Sequence, residues 1–138
     1  MNEAESQSQM ALWAVMASPL IMSNDLRNIS SWARNILLNR AVIAVNQDPL
    51  GRQGKRVSGS AGKPQVWIRQ LYDSTYAIVL WNDSQDKSTI SADLTFLGGK
   101  AYLRDLFLGK DLGLFNTTYT SSVIPPHGCQ ILKATPTY

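Results

Sequence analysis

Chemistry in a protein needs side chains that can attack, exchange protons or hold a metal, spaced so that they meet. This chain offers few. Asp48 precedes a proline, and Asp73, Asp83, Asp86, Asp105 and Asp111 fall near the ends of expected strands, where a short acidic side chain forms turns by accepting from nearby backbone N–H groups. The single histidine, His127, sits in Pro-Pro-His-Gly with no metal-binding or proton-relay partner close in sequence, and reads as a turn residue. The single cysteine, Cys129, forms no disulfide within the chain and reads as a small buried apolar residue. Trp67, Tyr72, Tyr76 and Trp81 are rings on which the apolar face of a sugar could stack. Strand alternation, however, puts Trp67 on one face with Arg69 and Leu71, and Trp81 with Ala77 and Val79, which reads as one sandwich layer or a seam to a neighbouring layer. Asn28, Asn82 and Asn116 begin Asn-x-Ser/Thr acceptor patterns for N-glycosylation, relevant only if the protein enters the secretory pathway.

Composition sets the frame for these residues. With 138 residues, 44% hydrophobic and 17% charged, the chain has the make-up of a folded domain with a buried core. Thirteen Lys and Arg against ten Asp and Glu leave +3. The one basic stretch, Arg52, Lys55, Arg56, Lys63 and Arg69, is too thin for a nucleic-acid face and reads as solvated charge. Residues 10–22 are apolar, but a membrane span needs about 20 such residues and Pro19 interrupts this run. A secretory signal should open on positive charge, whereas Glu3 and Glu5 precede the first arginine, Arg27, so no targeting segment is expected.

The pattern changes character near residue 50. Before it, residues 4–17 are helix formers that are apolar on nearly all sides, so the helix needs neighbours on nearly all sides. Pro19 ends it, Leu20–Ser23 has strand length, and Ser30 or Ser31 caps a second helix carrying Trp32, Ile36 and Leu37 up to Asn39. Val42–Val45 is a helical turn or a strand, and Asp48-Pro49-Leu50-Gly51 breaks the chain. Beyond Gly51 the expected elements are all strands: 55–57, 65–72, 75–81, 88–96, 100–107, 114–120 and 128–133. Asp73-Ser74 makes a hairpin turn, and Gly98-Gly99, Gly109 and Gly113 mark other turns. An antiparallel sandwich or barrel follows. The first fifty residues cannot close a core by themselves, since a single strand has no sheet partner. An α/β domain before them, barrel or doubly wound, would supply the cover.

The residues also resemble a known family. Q-M-A-L-W-A-V-M-A-S-P-L-I-M-S-N-D-L-R, residues 9–27, and V-I-A-V-N-Q-D-P-L-G-R-Q-G, residues 42–54, are similar to the last helix-to-strand passage and the barrel-to-β-domain junction of the α-galactosidases and α-N-acetylgalactosaminidases of glycoside hydrolase family 27. Y-A-I-V-L-W-N at 76–82, L-R-D-L-F-L-G-K-D-L-G at 103–113 and P-P-H-G at 125–128 are weaker echoes of its C-terminal β domain. The opening Met-Asn-Glu-Ala-Glu resembles an internal segment just after the penultimate barrel strand.

The resemblance implies the last helix-strand-helix of a TIM barrel in residues 1–50 and an antiparallel β-sandwich domain in residues 51–138. It implies a retaining hydrolase, secreted or lysosomal and homodimeric, that removes terminal α-linked galactose. Such an enzyme uses two carboxylates about 5 Å apart, one as nucleophile and one as acid/base, with no metal or cofactor. The family carries them in Tyr-x-Lys-x-Asp and Arg-x-x-x-Asp motifs on earlier barrel strands. Neither is matched: Arg69 to Asp73 has the second spacing but spans an expected hairpin downstream of the barrel. No catalytic residue carries over, the α-galactoside would bind through the missing barrel, and the chain alone is expected to be inactive. Ser23, Asn24 and Asp25 fall at the C-terminal end of the last barrel strand, where TIM-barrel pockets open; they border the substrate pocket or simply cap the following turn. The alternatives from other classes are a stand-alone carbohydrate-binding β sandwich and a non-catalytic partner protein, whose helix 4–17 would expose a large apolar surface.

Overall fold

Helix α1 (Glu3–Val15) opens with Glu3 and Glu5 in its first turn, where carboxylates complement the positive end of the helix. The computed structural model that shows this describes residues 3–16, 35–36 and 38–137. The expected strand 20–23 and the start of the expected second helix lie outside the described residues, while Asn35 and Ile36 are helical. Val42–Val45, open between helix and strand on sequence, is helix α2 (Arg40–Asn46). Asn39 decides this: its side-chain oxygen accepts from the Val42 N–H at 3.1 Å as an N-cap.

The chain then forms β1 (Lys55–Ser58), β2 (Pro64–Gln70), β3 (Tyr76–Asn82), β4 (Ser91–Asp93), β5 (Lys100–Asp105), β6 (Lys110–Asn116), β7 (Thr118–Thr120) and β8 (Cys129–Pro136). Six of them make one antiparallel sheet in the order β1-β2-β3-β8-β5-β6, and β4 pairs with β7 in a small second sheet. The last strand is thus inserted between two hairpins. The architecture is a sandwich, with no closed barrel among the described strands.

Alternation along the strands gives the large sheet two apolar faces. Val66, Ile78, Leu80, Leu103 and Leu132 point to one side and pack against Ile90, Ala92, Leu94, Tyr119 and Ile124 around the small sheet. Ala77, Val79 and Ile131 point to the other and meet Met10, Ala11, Ala14, Val15, Val42 and Val45 of the helices. β3 is therefore buried on both faces, and Ile78, Val79 and Leu80 have no exposed surface. The apolar helix expected to need outside cover has one side of it covered by the sheet.

Two expected strands are broken by local hydrogen bonding. In 88–96 only Ser91–Asp93 is a strand. Asp93 Oδ1 accepts from Thr95 N at 2.9 Å and Thr95 Oγ1 at 2.7 Å, turning the chain into a single 3₁₀ turn, Thr95–Leu97, ended by Gly98 at φ 76°. In 114–120 the break is Thr117, at φ 60° between β6 and β7. Gly113 is not a turn either: it lies within β6 at φ 102°, where the register against Leu103 and Arg104 shifts, so its left-handed backbone makes a β-bulge.

Candidate functional site

The seam between the helices and the sheet is built from the ends of the helices. Helix α1 has no basic residue in its last turn to meet its final carbonyls. Each is satisfied from elsewhere. Leu12 O accepts from Met16 N at 2.9 Å, Trp13 O from Asn46 Nδ2 at 3.2 Å, Ala14 O from Arg69 Nη1 at 2.9 Å and Val15 O from Gly54 N at 2.8 Å. Gly54 is needed for that approach, because a Cβ there would lie 2.4 Å from Val15 O.

Arg69 is the hub. It projects from β2, is only 1% exposed, and its Nη1 also donates to Val45 O and, at 3.5 Å, to Asn46 O, while Nε donates to Arg52 O at 2.5 Å. One guanidinium thus ties the C-terminal ends of both helices and the start of the β region to the sheet, a placement that also suits the negative end of each helix dipole. Its Nη2 has no hydrogen-bond partner among the described residues. Burial draws its pKa below the usual arginine value and the nearby Asp48 carboxylate opposes that; a guanidinium stays charged regardless. Asp48, 8% exposed, accepts from Tyr72 N at 3.1 Å and Leu50 N at 3.1 Å, so the breaking motif is fastened to the β2–β3 turn. On sequence Arg69 reads as solvated charge, and the structure corrects this. The missed signal was its place on the same strand face as Trp67 and Leu71.

Ser23, Asn24, Asp25 and Asn28 lie outside the described residues. The seam holds the chain on either side of them, since Val15 is fully buried and Ile36 is 5% exposed in the same apolar cluster. Several of the other carboxylates are tied to turns and pairs. Asp73 accepts from Thr75 N, Thr75 Oγ1 and, at 3.2 Å, Lys133 Nζ; burial pushes its pKa up, but these partners hold it below the ordinary aspartate value. Arg69 points to the helices and Asp73 to β8, so their catalytic-looking spacing brings nothing together. Asp105 accepts from Leu108 N and Gln130 Nε2, and Asp111 pairs with Arg104 at 2.7 Å across β5–β6. No group of three or more metal-ligating side chains occurs among the described residues.

Of the aromatic residues, Trp67 is half-buried with Nε1 donating to Gln65, Tyr76 packs edge-on against Phe96 at 5.2 Å, and Tyr72 is 64% exposed. Asn116 is exposed, but Asn82 has no exposed surface. Its Nδ2 donates to the carbonyls of Asp86, Ile124 and Pro125, so the nitrogen a glycan would occupy already holds a loop.

Cys129 is half-buried in the seam. Burial pushes its thiol pKa up to about 12, against a hydrogen bond with Ser8 that lowers it and with the Asp105 charge adding to the rise. The folded thiol therefore stays protonated while the unfolded thiol ionises near pH 9, so stability declines as pH rises beyond about 9. The thiol should also label with a disulfide reagent at pH 8 far more slowly than an unfolded cysteine does. Prompt stoichiometric labelling of folded protein would contradict this.

Two family descriptions match the chain. "Alpha galactosidase A" covers residues 1–48 and "Alpha galactosidase C-terminal beta sandwich domain" covers residues 61–134. Among curated proteins, it is 42% identical to an alpha-N-acetylgalactosaminidase of Gallus gallus over 90% of this chain and 32% of that protein. It is 38% identical to a probable alpha-galactosidase of Dictyostelium discoideum over 99% of this chain and 37% of that protein. Among solved structures, alpha-galactosidase I from Mortierella vinacea superposes with a TM-score of 0.89 at 30% identity, covering 99% of this chain and 37% of that one. A GH27 β-L-arabinopyranosidase from Geobacillus stearothermophilus gives 0.89 at 27%, covering 99% and 31%. The chain thus spans about a third of the length of these relatives.

Proposed function

From the premise that this chain belongs to the α-galactosidase family of glycoside hydrolases, we propose that it is the C-terminal portion of a retaining enzyme acting on terminal α-galactosides. In this reading residues 1–50 are the end of a catalytic barrel, residues 51–138 are the β sandwich, and the chain by itself turns nothing over. The observation that carries the proposal is the seam: the sheet has one face shaped to hold two helices, with Arg69 buried among their terminal carbonyls. A sandwich that worked alone would have no use for a buried guanidinium aimed at helix ends. The sandwich then acts as a fixed wall against which the helices are positioned.

Which sugar is cleaved is not set in this region. Relatives named for N-acetylgalactosamine, galactose and arabinopyranose all match the same stretch. The sandwich is the common support and the specificity belongs to the barrel. Secretion or lysosomal residence is supported by the exposed Asn116 acceptor site.

Purified chain incubated with p-nitrophenyl α-galactoside should release no more nitrophenol than buffer does. Turnover by the chain itself would overturn the proposal, because neither carboxylate of the two-carboxylate mechanism has been found in it. A stand-alone sugar-binding module with Trp67, Tyr72, Tyr76 and Trp81 as platforms is disfavoured, since the rings share no exposed face: Trp67 and Tyr76 pack on opposite sides of the sheet, and Trp81 packs on the helix side, where it lines a cleft only together with helix α1.

A further inference from the structure

A cleft of about 330 Å³ opens between helix α1 and the end of strand β3, and we propose that it binds one pyranose sugar residue. Its lining among the described residues is Glu5, Ser8, Gln9, Leu12, Trp81 and His127. The first four stand at i, i+3, i+4 and i+7, one face of the helix. Opposite them, Trp81 is half-buried, and its Nε1 is buried without a hydrogen-bond partner among the described residues. The indole therefore offers the cleft carbon, not a donor. The apolar C–H face of a pyranose stacks on such a ring.

A sugar's other demand is groups that both give and accept hydrogen bonds around its rim. The Gln9 amide has two donors and an acceptor, and the His127 imidazole, whose Nδ1 lies 4.0 Å from Asp83 Oδ1, has its other nitrogen to offer. Gln9 is exposed and His127 half-buried. Ser8 serves differently: its hydroxyl donates to His127 O at 2.6 Å and fixes the far wall to the helix.

That wall is held in an unusual state. His127 has φ 61°, in the left-handed region that few non-glycine residues occupy, though histidine enters it more readily than most. The constraint comes from several sides. His127 N donates to Asn82 O at 2.7 Å, its carbonyl accepts from Ser8, Gly128 N donates to Pro125 O at 2.9 Å, and the buried Asn82 holds Ile124 and Pro125. Backbone held this way against its preference, on the wall of a cleft in the lower size range of ligand sites, is preorganisation of the kind found where small molecules bind.

The family reading above enters only in the choice of galactose as the first probe. ¹⁵N-labelled chain titrated with methyl α-galactoside, and separately with methyl α-glucoside, should show saturable shifts of the Trp81 indole and of Gln9 and His127 for at least one sugar, with a millimolar Kd. Gln9→Ala and His127→Asn, the latter keeping a residue that tolerates left-handed backbone, should each weaken binding about five- to tenfold, the loss of one hydrogen bond, with the rest of the spectrum unchanged. Absence of saturable shifts with both sugars would overturn the site, as would saturable shifts that map elsewhere or an affinity untouched by both variants. Hydrolysis of the galactoside during the titration would instead overturn the proposed function while leaving the site standing.

Discussion

Arg69→Met should cost about 3–5 kcal/mol, the scale seen when one partner of a buried charged network is removed. Methionine fills most of the volume, so the loss isolates the guanidinium. With it go the donors to Arg52, Ala14, Val45 and Asn46, and Asp48 loses the positive charge that faces it. Each orphaned buried carbonyl carries a desolvation cost of about 1–3 kcal/mol unless the helices move off the sheet to rehydrate it. Folded domains are stable by about 5–15 kcal/mol in total, so the urea midpoint should fall by a third or more, with helical circular dichroism lost before the sheet signal. Arg69→Lys should recover little, because one compact ammonium cannot span three chain segments. A midpoint for Arg69→Met within about 0.5 kcal/mol of the parent would mean that apolar packing alone holds the seam.

Asn82→Ala is the second large effect, expected at about 3 kcal/mol, or roughly a 10 °C drop in Tm for a chain of this size. Asn82 is fully buried, its amide nitrogen serves three carbonyls of the 86 and 124–125 loops, and its oxygen accepts from Ser84 N and Ser84 Oγ. The same geometry bears on the acceptor pattern at this residue. In secreted protein, glycopeptide mass spectrometry should find Asn116 occupied and Asn82 bare, since a glycan on Nδ2 would displace those bonds and cannot fit at zero exposure. A folded, glycosylated Asn82 would require the loop to be rebuilt. Asn82→Asp should be nearly as costly as alanine, because it keeps the acceptor for Ser84 but turns the donors toward the carbonyls into a repelled oxygen.

Much of the β region was legible because strand patterns are local. The strand expected at 75–81 is observed as Tyr76–Asn82, and the turn expected at Asp73-Ser74 is observed before it. The failures have local and distant causes. The run 88–96 looks continuous by composition, yet one Asp93 side chain competes with the ladder and ends it. Gly113 was legible as a special backbone but not as a bulge, because a bulge is defined by the strand opposite. The candidate loop, Ser23–Asp25, was visible only through resemblance.

By itself, the sequence determined the periodicities: a helix apolar on most sides, strands with two distinguishable faces, and the absence of a two-carboxylate motif. These depend on residues a few positions apart. Only the tertiary structure decided which face meets which partner, because that is set by contacts between distant segments: β8 entering between β3 and β5, or Arg69 reaching Ala14 across 55 positions. An arginine in a strand is solvated or buried according to what lands on it, and no local pattern states what will land. Here two helix ends do, and their unpaired carbonyls make a buried charge stable.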